Sequence, residues 1–306
     1  MTYQPMPPGY RPAPVSRRRR PAKPLRSICL LGCLVPVACA ALLLLMSLLL
    51  LPGPLDIVIL GLDARPGQGY LTRADSIMLL NVNPGALRVS LLSIPRDVFI
   101  TAPGYGPQRI NTINMLGEQE VEGGGPDLVK ASFLESFGVT VDNYVRLDFD
   151  GFVALIDAVG GVEIDVPNHI IDYDFPTREG GRAEVRFEPG VQHMDGERAL
   201  QYARTRHQDD DYQRAGRQQQ VVEALVKKLS NPLNVIRWPL VWQALHSHSD
   251  TDLNVVDMAR MVPALVLGWP GREQRVLQRE DLVGMAGGYA VPNYDQLNPW
   301  IAERFD

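Results

Sequence analysis

Asp56-Ile57-Val58-Ile59-Leu60-Gly61-Leu62, followed at once by Asp63-Ala64-Arg65, decides how the rest of the chain is read. After its first residue the run carries only apolar side chains and one glycine, with β-branched residues in front. Its length suits a strand and is short for a buried helix. A continuous apolar run, without polar alternation, is what a strand covered on its faces looks like. Two more runs of this kind follow at 76–82 and 88–94, and shorter ones at 144–149 and 162–166. Between and after them, 126–137, 151–159, 196–203 and 211–229 have helical spacing. Two further apolar helical segments lie around 235–246 and 253–267. The pattern predicts an α/β fold, a mixed sheet with helices on its faces.

The first strand closes on Asp63 and Arg65, and Arg73-Ala74-Asp75 stands immediately before the second. Both aspartates fall at strand ends, where α/β folds gather their sites. Two carboxylates with arginines nearby suit a Mg²⁺ bound together with a phosphate, since Mg²⁺ takes one or two carboxylates plus substrate oxygens and waters. Either aspartate alone would serve equally as a turn or cap residue. The third strand ends in Ser93-Ile94-Pro95-Arg96-Asp97, an Arg–Asp pair that in isolation reads as a surface ion pair.

The most informative stretch is Arg204-Thr205-Arg206 followed by Asp211, Arg214, Arg217 and Gln218. In a helix over 211–229, a turn of about 100° per residue puts Asp211, Arg214 and Gln218 on one face. The same face carries Val222, Leu225 and Leu229, the core-facing stripe of an amphipathic helix. Polar side chains therefore stand where apolar ones belong. Burying an unpaired guanidinium is costly. The economical explanation is that this end of the stripe lines a pocket for an anion, the alternative being an internal Asp–Arg network. Arg204 and Arg206, two residues apart in an extended stretch, would point into the same pocket. Arginine binds phosphate bidentately and stays charged.

Other chemistries are not supported. The chain has no Gly-rich Walker loop and no Gly-x-Ser-x-Gly elbow, and its five histidines make no metal-binding pattern. Gly160-Gly161 reads as a tight helix-to-strand turn. The three cysteines, Cys29, Cys33 and Cys39, all lie in one apolar segment, which leaves no thiol for the globular part.

Charge is unevenly spread. Residues 1–55 hold seven basic groups and no acids, and the remainder holds 23 basic and 35 acidic residues, a net of −12. An acidic body argues against nucleic-acid binding. Residues 1–27, rich in Pro and Arg, read as a disordered cytoplasmic tail. Residues 28–51 carry no charge over 24 positions, enough to cross a bilayer core, for which about 20 suffice. The run is long for a signal peptide and shows no small-residue cleavage site near Pro52. With the arginines on its N-terminal side, the positive-inside rule places the tail in the cytoplasm and residues 52–306 outside the cell membrane. The linker before the first strand is so short that the body would sit within about 15 Å of the membrane.

In this order the pieces resemble the LytR–CpsA–Psr family of cell-wall ligases. The matching motifs are Gly61-x-Asp63-x-Arg65, Arg73-x-Asp75, Ser93-Ile94-Pro95-Arg96-Asp97 and Arg109-Ile110-Asn111. Further on come Asp148-Phe149-x-Gly151-Phe152, Asp157-x-x-Gly160-Gly161-Val162, Asp195-Gly196-Glu197 through Arg206, and Asp211-x-x-Arg214-x-x-Arg217-Gln218. The resemblance runs from about Leu55 to the C-terminus and is strongest up to Leu229. It implies a hydrophobic tunnel for a polyprenyl chain with a diphosphate and Mg²⁺ at its mouth. By position, Asp63 and Asp75 would hold the metal. Arg65, Arg73, Arg96, Arg109, Arg204, Arg206, Arg214 and Gln218 would contact the diphosphate, and Asp211 would orient the arginines or act on the metal side. The sequence departs from the family in three places: Arg109 stands where lysine is usual, Ala74 replaces a serine, and the loop from Arg206 to Asp211 is short.

The implied reaction is a phosphoryl transfer from a polyprenyl-diphosphate-linked glycan, such as a teichoic acid, to peptidoglycan. Catalysis would come from positioning and charge neutralisation. Asp75 and Asp211 are the candidates for a general base. A polyprenyl-diphosphate hydrolase, or a non-enzymatic lipid-binding regulator of envelope assembly, are the competing readings. The acid pair speaks against the last, because capturing a diphosphate needs only arginines.

Overall fold

The computed structural model describes residues 53–64, 69–177, 180–205, 211–286 and 289–305, together with residue 42. The chain divides into two units, Met1–Leu43 and Leu44–Asp306, and the fold below is that of the second. The tail expected at 1–27 and, Leu42 apart, the span expected at 28–51 lie outside the described residues. Among those described, no helix is long and apolar enough to cross a membrane.

Fourteen strands and eight α-helices follow in the described residues. The strands are β1 (Leu55–Leu62), β2 (Ala74–Asn83), β3 (Arg88–Ile94), β4 (Phe99–Ala102), β5 (Gly106–Arg109), β6 (Asn143–Leu147), β7 (Val162–Val166), β8 (Ile170–Pro176), β9 (Arg182–Phe187), β10 (Gly190–Met194), β11 (Ser249–Thr251), β12 (Glu273–Val276), β13 (Leu282–Ala286) and β14 (Tyr289–Pro292). The helices are α1 (Ile110–Glu120), α2 (Gly125–Phe137), α3 (Phe149–Ala158), α4 (Gly196–Arg204), α5 (Asp211–Ser230), α6 (Trp238–His248), α7 (Val255–Pro263) and α8 (Tyr294–Ala302).

Six strands form the central sheet in the order β11-β6-β1-β2-β3-β12. β1 pairs antiparallel with β2 and parallel with β6, so the sheet is mixed. The opening run is β1, and its alternate residues reach opposite faces. Leu55 and Ile57 join a core that also holds residues of α3, α4, α5 and α6. Val58, Leu60 and Leu62 join a second core with α1, α2 and α8. This is the three-layer arrangement expected from continuous apolar strands.

Element boundaries moved in a few places. The strand expected at 144–149 ends at Leu147, because Asp148 caps α3 by accepting a bond of 2.8 Å from the Gly151 N–H. The helical segment near 235–246 is a 3₁₀ turn (Pro232–Arg237) leading into α6. The segment 253–267 is α7 continued by a π-helical turn (Ala264–Gly268). Gly160 and Gly161, at φ 80° and 77°, make the tight α3–β7 turn that only glycine adopts without strain.

Candidate functional site

The register of β1 and β2 brings the acids together. Leu62 pairs with Ala74, so Asp63, just past the end of β1, and Asp75, second in β2, meet at the same end of the sheet. Two contacts close this end: the Asp63 N–H donates to the Arg73 carbonyl at 3.3 Å, and the Thr72 hydroxyl donates to the Asp63 carbonyl at 3.2 Å.

Two cavities open from the acid pair, and Asp63 and Asp75 line both. The first, of about 220 Å³, is walled by Ile59, Leu62, Met78, Leu147, Phe149, Phe152, Leu200 and Val222. It lies between the sheet and α5. Gly61 faces it, and a side chain there would come within 2.9 Å of Ser76 Cβ, so the close approach of the two strands requires glycine. Its polar residues, beyond the acid pair, include Arg204, Arg214 and Gln218. The second cavity, of about 410 Å³, is lined by Thr72, Arg73, Arg96, Asp97, Arg109 and Asn111 around the same two carboxylates.

The predicted helix face is borne out for the described side chains. Arg214, Gln218 and Val222 line one cavity, and Arg214 is only 4% exposed. Val222, Leu225 and Leu229 pack on the first core. Arg217, off that stripe, turns back: its Nε donates to the Tyr202 carbonyl at 3.2 Å and its Nη2 to the Thr205 carbonyl. It holds the C-terminal end of α4, where the orphan carbonyls of a helix need donors.

The extended stretch expected at Arg204 is not there. Arg204 is the last residue of α4, and Thr205 is its C-cap. A cation in the last turn of a helix is favoured by the helix dipole, and Arg204 stands there. Its guanidinium lies over Phe149, 4.0 Å from the ring centroid, and 5.3 Å from that of Phe175. Arg65, Arg206 and the side chain of Asp211 lie outside the described residues, as does the loop between Arg206 and Asp211.

Arg96 follows the turn at Pro95, and its Nη1 stands 3.1 Å from both oxygens of Asp75. Its Nε is 3.8 Å from Asp97, which Arg109 also approaches at 3.7 Å. Arg109 leans over the Phe99 ring, 5.7 Å from its centroid. Asn111 is buried in this wall, and its Oδ1 has no hydrogen-bond partner among the described residues. Among the described residues, the predicted diphosphate contacts thus fall into two sets, each sharing its cavity with the acid pair.

No group of three His, Cys, Asp or Glu residues that could hold a metal occurs among the described residues. Two carboxylates with substrate oxygens are enough for Mg²⁺, whereas zinc wants a fuller protein shell. Asp63 is exposed and Asp75 half-buried, and both reach the two cavities. The donor set fits a hard cation shared with a phosphate.

A buried arginine outside these motifs braces the segment that carries the site. Arg146, in the middle of β6, is 2% exposed. Its Nε donates to Asp250 at 2.8 Å, its Nη1 to Asn114 at 3.2 Å and also to Glu118. The Tyr70 ring stacks on it at 4.2 Å. Asn114 in turn donates to the carbonyls of Tyr70 and Thr72 at 3.0 and 3.1 Å, which fixes the segment leading to Arg73 and Asp75. Burial pushes the Glu118 carboxyl up, but Arg146 and the N–H groups of Gly123 and Gly125 outweigh it and hold it below its ordinary value. Burial and the charge of Asp250 push the Tyr144 hydroxyl up to about 12. The signal in the sequence was a lone arginine inside an apolar strand, which must find acids. Those acids come from α1 and β11, more than a hundred residues apart in the case of Asp250.

The profile of the LytR_cpsA_psr family matches residues 50–268. TagU of Oceanobacillus iheyensis, named a polyisoprenyl-teichoic acid–peptidoglycan teichoic acid transferase, is 34% identical over 203 residues, which cover 65% of this chain and 59% of that protein. TagV of Bacillus subtilis, of the same named activity, is 29% identical over 206 residues, 67% of this chain and 51% of that one. The matches thus span between half and three fifths of the length of these curated relatives. The crystal structure of B. subtilis TagV superposes with a TM-score of 0.68 at 24% identity, covering 83% of this chain and 98% of that one, and shares the fold. With nearly three quarters of its length inside the family profile, its motifs in order and its sheet superposable, the chain belongs to the LytR–CpsA–Psr family.

Proposed function

We propose that this protein transfers a glycopolymer phosphate from a polyprenyl-diphosphate carrier to peptidoglycan at the outer face of the cell membrane. The observation that carries the reading is the acid pair shared by an apolar cavity and an arginine-lined one. A substrate with a hydrocarbon end, a doubly charged middle and a sugar end matches that sequence of surfaces. The names of the curated relatives support the same donor and acceptor.

In this reading the apolar cavity takes the first isoprene units. Arg204, Arg214 and Gln218 hold the phosphate next to the lipid, and Arg73, Arg96 and Arg109 hold the phosphate that bears the glycan. A hydroxyl of the acceptor attacks the glycan-bearing phosphorus. The bond from that phosphorus to the bridging oxygen breaks, a phosphodiester to the acceptor forms, and polyprenyl phosphate leaves carrying the bridging oxygen. The acceptor proton is lost to solvent or to a carboxylate. Mg²⁺ bound at Asp63 and Asp75 would neutralise phosphate charge. Fixed guanidinium groups contribute most where they are buried, because nothing has to reorganise as charge develops. Arg96, with its Nη1 3.1 Å from both oxygens of Asp75, holds that carboxylate in place between the two cavities. Residues 28–51 form the membrane anchor and 1–27 the cytoplasmic tail.

The full chain in detergent, given a polyprenyl-diphosphate-linked sugar, peptidoglycan fragments and Mg²⁺, should yield a phosphodiester-linked adduct by mass spectrometry. Asp75→Asn should abolish it. Release of free sugar phosphate with no adduct would replace the transferase with a hydrolase. Lipid bound without any turnover, across donor glycans, would leave a binding protein.

A further inference from the structure

The end of the sheet away from the acids carries an apolar surface that the site does not use. Leu55, at the start of β1, pairs with Val82, so the β2–β3 turn with the exposed Leu87 projects past it. The backbone of Gly268 packs directly on the Leu87 carbonyl, with no room for a side chain between, which sets the exposed Leu267 beside it. The Ser230 hydroxyl donates to the Leu265 carbonyl at 2.6 Å, bringing the C-terminal end of α5 and the following 3₁₀ turn to the same place. That turn holds Leu233 and Ile236, 85% and 83% exposed, and their stripe continues at Leu240 on α6. At spacings of three and four these lie along one side of a helical path. Lys227 and Lys228, in the last turn of α5, border it.

The chain itself says what lies beneath. Arg260 of α7 donates to the carbonyls of Gly53 and Pro54 at 3.1 and 3.2 Å, fixing the chain just before β1 to the helix that runs into Ala264–Gly268. The uncharged run 28–51 ends two residues before Gly53. A surface that exposes leucine and isoleucine on a helical path, bordered by lysines in an otherwise acidic body, suits the headgroup region of an anionic bilayer.

We infer that the outer unit rests on the membrane through this second contact, with Leu233, Ile236 and Leu267 dipping into the lipid, an inference that depends on reading 28–51 as a membrane span. Interfacial helices bury their apolar side about 5–10 Å into the headgroup and acyl boundary. The contact fixes the tilt of the body. α5, which at about 1.5 Å per residue spans about 30 Å, then stands between the bilayer and the acid pair. A lipid tail leaving the membrane beside α5 would be led along Val222 toward Gln218 and Arg214.

The test uses the full chain with Cys29, Cys33 and Cys39 replaced by serine and one new cysteine, Ile236→Cys or, as a second placement, Leu233→Cys. Each is labelled with an environment-sensitive fluorophore and reconstituted into phosphatidylglycerol–phosphatidylethanolamine vesicles containing acyl-chain spin labels. Tyr173→Cys, on the exposed side of β8, is the reference. Flotation after an alkaline wash reports the anchor independently. The expected result is flotation with several-fold stronger quenching at 236 and 233 than at 173. Flotation with equal or absent quenching at 236 and 233 would overturn the second contact and leave the anchor standing. Protein that fails to float would overturn the anchor reading, and this inference with it.

Discussion

Arg214 and Arg109 carry the same charge into opposite surroundings. Arg214 is almost wholly buried on α5 within the apolar cavity, and the Arg109 side chain is 54% exposed. A preorganised donor in a dry site is worth about 10²–10³ in rate. Arg214→Met should therefore lower kcat by about that factor, which turnover assays check. Arg109→Ala should raise KM a few-fold, and the difference from wild type should fade as salt is added, since an exposed charge is screened over about 8–10 Å. A salt-independent loss at Arg109 would mean that it touches the reacting phosphate directly.

At the scale of elements, the network around Arg146 joins β6, α1, β11 and the segment that carries Arg73. Removing one member of a buried pair costs about 3–5 kcal/mol, because the other charge is left without its partner. Arg146→Met should lose that much in urea unfolding, and Arg146→Met with Glu118→Gln should recover part of it. Glu118 also sets an acid limit. Its carboxyl is held below the 4.5 of an ordinary glutamate, so its contribution is present above that pH and is lost as pH falls through the lowered value. Stability against pH should accordingly be flatter on the acid side in Glu118→Gln than in wild type. A different constraint sits at Gly151, in the first turn of α3, where a Cβ would overlap the His248 carbonyl oxygen. Gly151→Ala should destabilise by about 1–3 kcal/mol by forcing α3 and the end of α6 apart.

For the whole molecule, the proposed function would make stability depend on lipid through the apolar cavity between sheet and α5. A ligand that binds only the folded state at a hundred times its Kd adds about 2.7 kcal/mol. In a chain of this size, that corresponds to a Tm rise of about 5–10 °C. A polyprenyl phosphate should produce such a rise, and inorganic pyrophosphate a smaller one. In Val222→Trp, which fills the cavity, the lipid-dependent part alone should disappear. A full lipid shift in Val222→Trp would place the hydrocarbon somewhere else.

By itself the sequence determined the strands expected at 56–62, 76–82 and 88–94, which the structure has at 55–62, 74–83 and 88–94, because a run of apolar residues without alternation has few other ways to be buried. It also determined the face of α5 that carries Arg214, Gln218 and Val222, since helical periodicity is local. Residue spacing gave no information on distance between segments, so only the tertiary structure decided that the arginines divide into two sets around Asp63 and Asp75. The same holds for Arg204, where a helix running one residue further replaced extended chain. It holds most of all for Arg146, whose partners Glu118 and Asp250 are set by strand order and helix packing. A buried charge announces that partners exist, and the fold alone chooses them.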